Sequence, residues 1–230
     1  MRKKRLLNRK RLGAGIAFAA VAFAGFVGPA TAADLAYKAK PVEVFDNNPW
    51  MLRVRAITVV PDASANINIP GASVDVSKTV MPEIDVSYFF TPNIALEVLA
   101  AFSPHTVKGA GTIAPLGPLV HTVLLPPIAT LQYHFTNFGA FKPYVGVGVN
   151  YTWFLDQSLR QPALVNAHIS NSVGAVGNVG FDYMLDRHWG LNLDLKYVDM
   201  QPKVSFANGT VAGKVKINPW IVGTGVTYKF

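Results

Sequence analysis

The chain has 230 residues, no cysteine and a formal net charge of +8. That length allows one or two domains, and the lack of cysteine excludes a disulfide scaffold. The charge is uneven: Arg2, Lys3, Lys4, Arg5, Arg9, Lys10 and Arg11 are seven of the 21 basic residues, and without them 14 Lys/Arg stand against 13 Asp/Glu. A near-neutral body removes the electrostatic case for nucleic-acid binding.

The basic start runs into GAGIAFAAVAFAGFVGPATAA, a positive n-region, an apolar h-region and a small-residue exit at Ala30-Thr31-Ala32. It reads as a secretory signal peptide over 1–32, cut after Ala32 or Ala33. A membrane-anchor helix is the competing reading, but spanning takes ~20 apolar residues and Gly28-Pro29 breaks this run. The segment 33–49 (ADLAYKAKPVEVFDNNP) is expected to be a periplasmic lead-in to a body over 50–230.

Hydrophobic residues make up 50% of the chain and charged ones 15%, yet after residue 33 no apolar run approaches the length of a spanning helix. Two classes remain: a soluble β protein with a large core, or a transmembrane barrel. In lipid, only helices and closed barrels satisfy their backbone groups. Period-2 alternation recurs in eight segments, at 50–61, 79–91, 93–107, 120–136, 141–155, 171–186, 189–203 and 214–230. These exceed the ~5–6 residues of an ordinary strand and reach the ~9–11 of a tilted spanning one. The connections Thr91-Pro92-Asn93, TNFGAFK and LDRHWG are short. Those at 62–78, 108–119, 156–170 and 204–213 are longer and polar or Gly-rich. Short periplasmic turns alternating with long outer loops mark an eight-stranded antiparallel transmembrane β-barrel.

The faces separate this from a soluble sandwich. One row of every segment is apolar and free of charge, as in Val145, Val147 and Val149 or Leu191, Leu193 and Leu195. At the short-turn end these rows carry Trp50, Tyr88, Phe90, Tyr133, Phe135, Phe141, Phe181, Tyr183, Trp189, Tyr228 and Phe230. At the loop end they carry Phe102, Tyr151, Trp153 and Trp220. Two aromatic girdles around an apolar band fit the two membrane interfaces. The opposite rows face inward. Near the turn end they hold Arg53, Arg55, Glu83, Asp85, Glu97, Lys142, Asp182, Asp194 and Lys196. Eight strands leave an interior just wide enough for side chains, so these charges must pair. The expectation is an ion-pair plug rather than an open pore, with a proton or ion pathway as the lesser reading. Toward the loops the inward row becomes Ile57, Leu99, Leu124, Ile128, Phe154, Val176, Val198, Met200, Ile217 and Ile221. These imply either an apolar pocket or a packed core.

YFFTPNIALEVLAA, LPPIATLQYHF and, more generically, KPYVGVGVNYTWF and INPWIVGTGVTYKF resemble the outer membrane protein W (OmpW) family over about residues 50–230. The resemblance implies a Gram-negative outer-membrane barrel that passes small hydrophobic molecules through an apolar lumen. It also implies that Phe230 serves as a signal to the barrel assembly machinery, and that the partners are membrane lipid, lipopolysaccharide and a hydrophobic solute. Pro126 and Pro127, and Pro219, each delete a ladder donor and mark either a place for lateral exit through the wall or simple bulges near the loop rim. The alternative is an adhesive or receptor barrel, of colicin or phage type, with an inert lumen. His105, His121, His134, His168 and His188 lack metal-ligand spacing, and no metal, cofactor or catalytic residue is expected. The triplet His168-Ile169-Ser170 with Asp182 is the nearest approach to a hydrolytic set, and its members fall toward opposite rims.

Overall fold

A computed structural model describes residues 48–160, 168–206 and 211–230. The expected signal peptide and the lead-in up to residue 47 lie outside the described residues. In chain order the strands are β1 (Trp50–Val60), β2 (Ser64–Ile67), β3 (Ala72–Val76), β4 (Thr79–Phe89), β5 (Ile94–Ala100), β6 (Ser103–Gly111), β7 (Pro118–Leu125), β8 (Ile128–His134), β9 (Phe141–Leu159), β10 (His168–Ile169), β11 (Ser172–Met184), β12 (Trp189–Val198), β13 (Lys203–Phe206), β14 (Val211–Lys216) and β15 (Trp220–Lys229).

Eight of them, β1, β4, β5, β8, β9, β11, β12 and β15, pair in an antiparallel ring. The first and last strands meet, with Met51 opposite Lys229 and Val60 opposite Trp220, and β9 pairs β11 to complete the circuit. A closed ring leaves no unpaired edge, which is the condition for a sheet in hydrocarbon. The side-chain period of two then sorts every strand into an inner and an outer row. Along β12 the alternation is uninterrupted from exposed Trp189 to buried Val198.

The outer row is apolar and open. Val80 is 70% exposed, Val147 70% and Val173 71%, among many other large hydrophobic side chains. A soluble monomer rarely exposes an apolar patch beyond ~300–600 Å², so a continuous belt of this kind faces lipid. At the turn end the aromatics interlock edge to face. Tyr228 meets Trp189 at 4.8 Å and Phe230 at 4.9 Å between ring centroids, and Trp50 meets Tyr88 at 4.9 Å.

The wall does not end where eight simple strands would. β9 runs for 19 residues, ~60 Å at the rise of a strand, against a hydrocarbon core of ~30 Å. Its far half carries β7, β6 and β3 as a continuation of the same sheet, and β10, β13, β14 and β2 form a second sheet at that end. Four expected segments are therefore each two strands. The 120–136 segment is cut by Pro126-Pro127 into β7 and β8, and 93–107 becomes β5 and β6. The 189–203 segment stops at Val198, before β13 opens at Lys203. In 214–230 the break falls at Asn218, whose φ of +35° ends β14, followed by Pro219. The long connections are likewise not plain loops. ASVDV and VAGKVK alternate well enough to extend, and they build the upper wall.

Candidate functional site

Two layers fill the interior, and both arise from inward rows. The lower layer is ionic. Arg53 and Arg55 on β1 face Asp85 and Glu83 directly across β4. Arg53 clasps Asp182 with Nη2–Oδ2 at 2.7 Å and Nε–Oδ1 at 3.0 Å. It also reaches Glu97 at 3.1 Å, Ser87 at 3.0 Å and Asp85 at 3.4 Å. Arg55 holds Glu83 Oε1 through Nε at 2.8 Å and Nη2 at 2.7 Å, and Asp85 Oδ2 at 2.6 Å. Lys196 pairs with Asp194 and lies 3.4 Å from Glu97. All eight charged side chains, and Ser87 with them, are buried. Each ion costs several kcal/mol to desolvate, which only such multiple pairing offsets.

Lys142 stands apart from the expected network. It is buried and opposite Asp182 in register, but its Nζ donates to Thr136 O at 3.1 Å. Arg53 reaches across the lumen and takes the Asp182 carboxylate with a two-pronged fork that a lysine cannot offer.

Neutral polar residues, which charge alone does not pick out in the sequence, complete the layer. Tyr144 is fully buried; its hydroxyl donates to Asp194 Oδ2 at 2.9 Å, and its ring lies 5.0 Å from the Arg53 guanidinium. Asn192 donates to Asp182 at 2.9 Å and accepts from Arg55 Nη1 at 3.1 Å. Thr227 donates to Asp182 at 2.5 Å. Their inward parity was the available signal. Glycine makes the room: a Cβ on Gly180 would sit 2.5 Å from the Tyr144 hydroxyl. Nearer the turn end, Met51, Phe89 and Ala95 form a small apolar cluster below the ions.

The upper layer is apolar and not completely filled. Ile57, Leu99, Leu124, Ile128, Phe154, Val198, Met200, Ile217 and Ile221 line a cavity of about 90 Å³. Val176 is buried in the same hydrophobic cluster but does not line the cavity. The extra strands supply the rest of the wall, including Val74, Val120, Ile169, Val204 and Val215. Apolar cavities of this order stay dry and take small apolar molecules. Polar side chains touch it in few places, among them Glu83 of the ionic layer, Thr122 and Asn150.

The histidines do not converge. His105 bonds Ser77 O at 2.8 Å and Ser103 Oγ at 2.6 Å, His134 packs between Phe89 and Tyr144, and His188 stacks on Tyr228. His168 sits in the second sheet, while Asp182 belongs to Arg53, so the hydrolytic set is not assembled.

Comparison with known proteins matches this architecture. The chain is 44% identical over 187 residues to the outer-membrane protein y4mB of Sinorhizobium fredii, covering 80% of each. It is 34% identical over 205 residues to outer membrane protein W of Vibrio cholerae, covering 85% of this chain and 94% of the relative. The crystal structure of OprG from Pseudomonas aeruginosa superposes with a TM-score of 0.71 at 31% identity, over 79% of this chain and 95% of that one. AlkL in lipid bilayers gives 0.65 at 28% identity, over 81% and 92%. Such relatives place the protein in the outer membrane of a Gram-negative bacterium. With the OmpW family matched over residues 48–230, the chain belongs to that family.

Proposed function

We propose that this barrel passes small hydrophobic molecules from its loop end into the bilayer. The observation that carries the reading is an apolar cavity directly over a paired ionic layer. An apolar solute gains by leaving water for the cavity. It cannot continue downward, because it would have to displace ion pairs whose buried charges it cannot satisfy. The way out is then sideways.

The wall has a weak point beside the cavity. The ladder between β5 and β8 ends at Leu99 and Ile128, and that between β6 and β7 starts at Ser103 and Leu124. Residues 100–102 and 125–127 between them make no ladder pair with each other, and Pro126 lines the cavity. The Pro219 break is stitched instead, by Val198 N to Pro219 O at 3.1 Å and Met200 N to Asn218 Oδ1 at 3.0 Å. The Pro126-Pro127 breach is therefore the exit. The expected partners are the solute, membrane lipid and lipopolysaccharide at the loop end, and the assembly machinery acting on Phe230. Residues 1–32 are removed as the signal peptide. No chemistry on the solute is required.

The test is uptake of a fluorescent hydrophobic solute by cells carrying the wild type, no protein, or Ile128→Arg at matched outer-membrane levels. Uptake that depends on the protein and is lost in the variant supports the lumen as the route. Uptake indifferent to both favours a surface receptor with an inert lumen, whose role would follow its loop-end strands instead.

A further inference from the structure

We infer that the cavity is selective for amphiphiles, and that Glu83 at its floor receives the head group, a protonated primary amine on an apolar chain. The inference rests on the cavity being a solute site, as proposed above, and adds what the solute must carry.

Three observations converge on Glu83. First, it is the one carboxylate of the ionic layer that also lines the cavity among the described residues. Second, its two oxygens are used unequally. Oε1 accepts from Arg55 Nε at 2.8 Å and lies 2.7 Å from the Nη2 cation, whereas Oε2 is buried without a hydrogen-bond partner. Asp85 Oδ2 also lacks a hydrogen bond, but it has a cation in contact, Arg55 Nη2 at 2.6 Å, and Asp85 does not line the cavity. A buried, unmet carboxylate oxygen is costly, and the apolar walls offer it nothing. Third, the layer is short of positive charge. Arg53, Arg55 and Lys196 stand against Glu83, Asp85, Glu97, Asp182 and Asp194. That is a formal surplus of two negative charges among these buried groups, which favours a cationic head over a neutral one and strongly disfavours an anion. A second orphan, Thr122 Oγ1, belongs to the same cavity lining.

The chemistry follows. An ammonium brings donors and a charge to Glu83 Oε2, and its alkyl chain lies along Ile57, Leu99 and Ile128. An alcohol offers one donor and no charge. A fatty acid of the same length brings the wrong sign.

The experiment is a titration of the full chain in lipid nanodiscs with hexylamine, hexanol or hexanoate, read by methyl NMR of Ile57, Leu99 and Ile128, with empty nanodiscs correcting for partition into lipid. The expected result is cavity-methyl shifts saturating at least tenfold lower in hexylamine than in hexanol, with hexanoate weakest. Glu83→Gln should abolish the amine preference. Asp85→Asn, which removes the same charge from the layer but does not line the cavity, should keep it. Equal affinity for amine and alcohol, or equal loss in both variants, overturns the role of Glu83 while leaving a solute cavity intact. Cavity methyls that respond to none of the three probes overturn the cavity reading itself, and this inference with it. If Glu83→Gln does not fold, the wild-type order of the three probes still decides.

Discussion

Arg53 and Asp182 stand three strands apart around the ring and 129 residues apart in sequence, and Arg53 holds both Asp182 oxygens, at 2.7 and 3.0 Å. The clasp crosses the barrel interior, so it ties β1 to β11 across two intervening strands.

Asp182→Ala should be severely destabilising, because it leaves the Arg53 guanidinium buried with its main partner gone. Breaking one side of a buried pair costs ~3–5 kcal/mol. Equilibrium unfolding in urea from lipid vesicles measures it. A loss under ~1 kcal/mol would show that the remaining partners Glu97 and Asp85 suffice.

The outer row makes a separate claim. Val147 lies midway along the spanning part of β9, between Phe141 and Tyr151, and is 70% exposed. Val147→Arg should cost ~2–4 kcal/mol of folding in lipid, the penalty for a cation near the midplane. In detergent micelles, where the head group escapes to water, the cost should shrink. Equal stability in vesicles would mean that this row does not face hydrocarbon.

Two glycines on one strand should behave oppositely. At Gly180 a Cβ would meet Leu193 O and the Tyr144 hydroxyl, each at 2.5 Å; at Gly177 it would meet nothing within 4 Å. Gly180→Ala should destabilise by ~1–3 kcal/mol through forced repacking. Gly177→Ala should stay within ~0.5 kcal/mol. Vesicle unfolding curves of the two variants decide it.

The exit assigned to Pro126-Pro127 is open to repair. Pro126→Thr with Pro127→Thr restores two backbone donors in a segment where the ladder lapses, and threonine suits a strand. Uptake of the hydrophobic solute should slow while the barrel becomes more stable to heat. Unchanged uptake from a stabilised barrel would move the exit elsewhere.

The turn between β11 and β12 should loosen in acid. Asp186 accepts from the backbone N–H groups of Trp189 and His188, each at 2.7 Å, and these bonds hold its carboxyl below the usual carboxylate range. Its folded pKa is depressed, so its contribution is complete above the unfolded value and disappears as pH falls through the folded one. Amide exchange at His188 and Trp189 should lose protection over that window. Asp186→Ala should show the loose turn at neutral pH and no further acid response.

Alternation alone foretold much of this molecule. In β12 and β15 each residue's side could be read from its position, since a strand turns successive side chains to opposite faces and lipid admits no charge on one of them. The inward charges and the aromatic girdles followed from the same parity. Membrane fit is a local, one-residue test, so a linear sequence records it.

Pairing is not local. That Arg53 rather than Lys142 meets Asp182 depends on side-chain reach across a closed lumen. That Tyr144 enters the ionic layer depends on the space Gly180 leaves on the neighbouring strand. The cavity, too, needed the fold: its walls combine barrel residues such as Ile128 with Val74, Ile169 and Val204 from strands beyond the ring. The sequence by itself determined which side of the wall each residue would face, because that is settled by period and solvent. Only the tertiary structure decided which inward groups meet and where they leave space, because both depend on the register and closure of strands far apart in the chain.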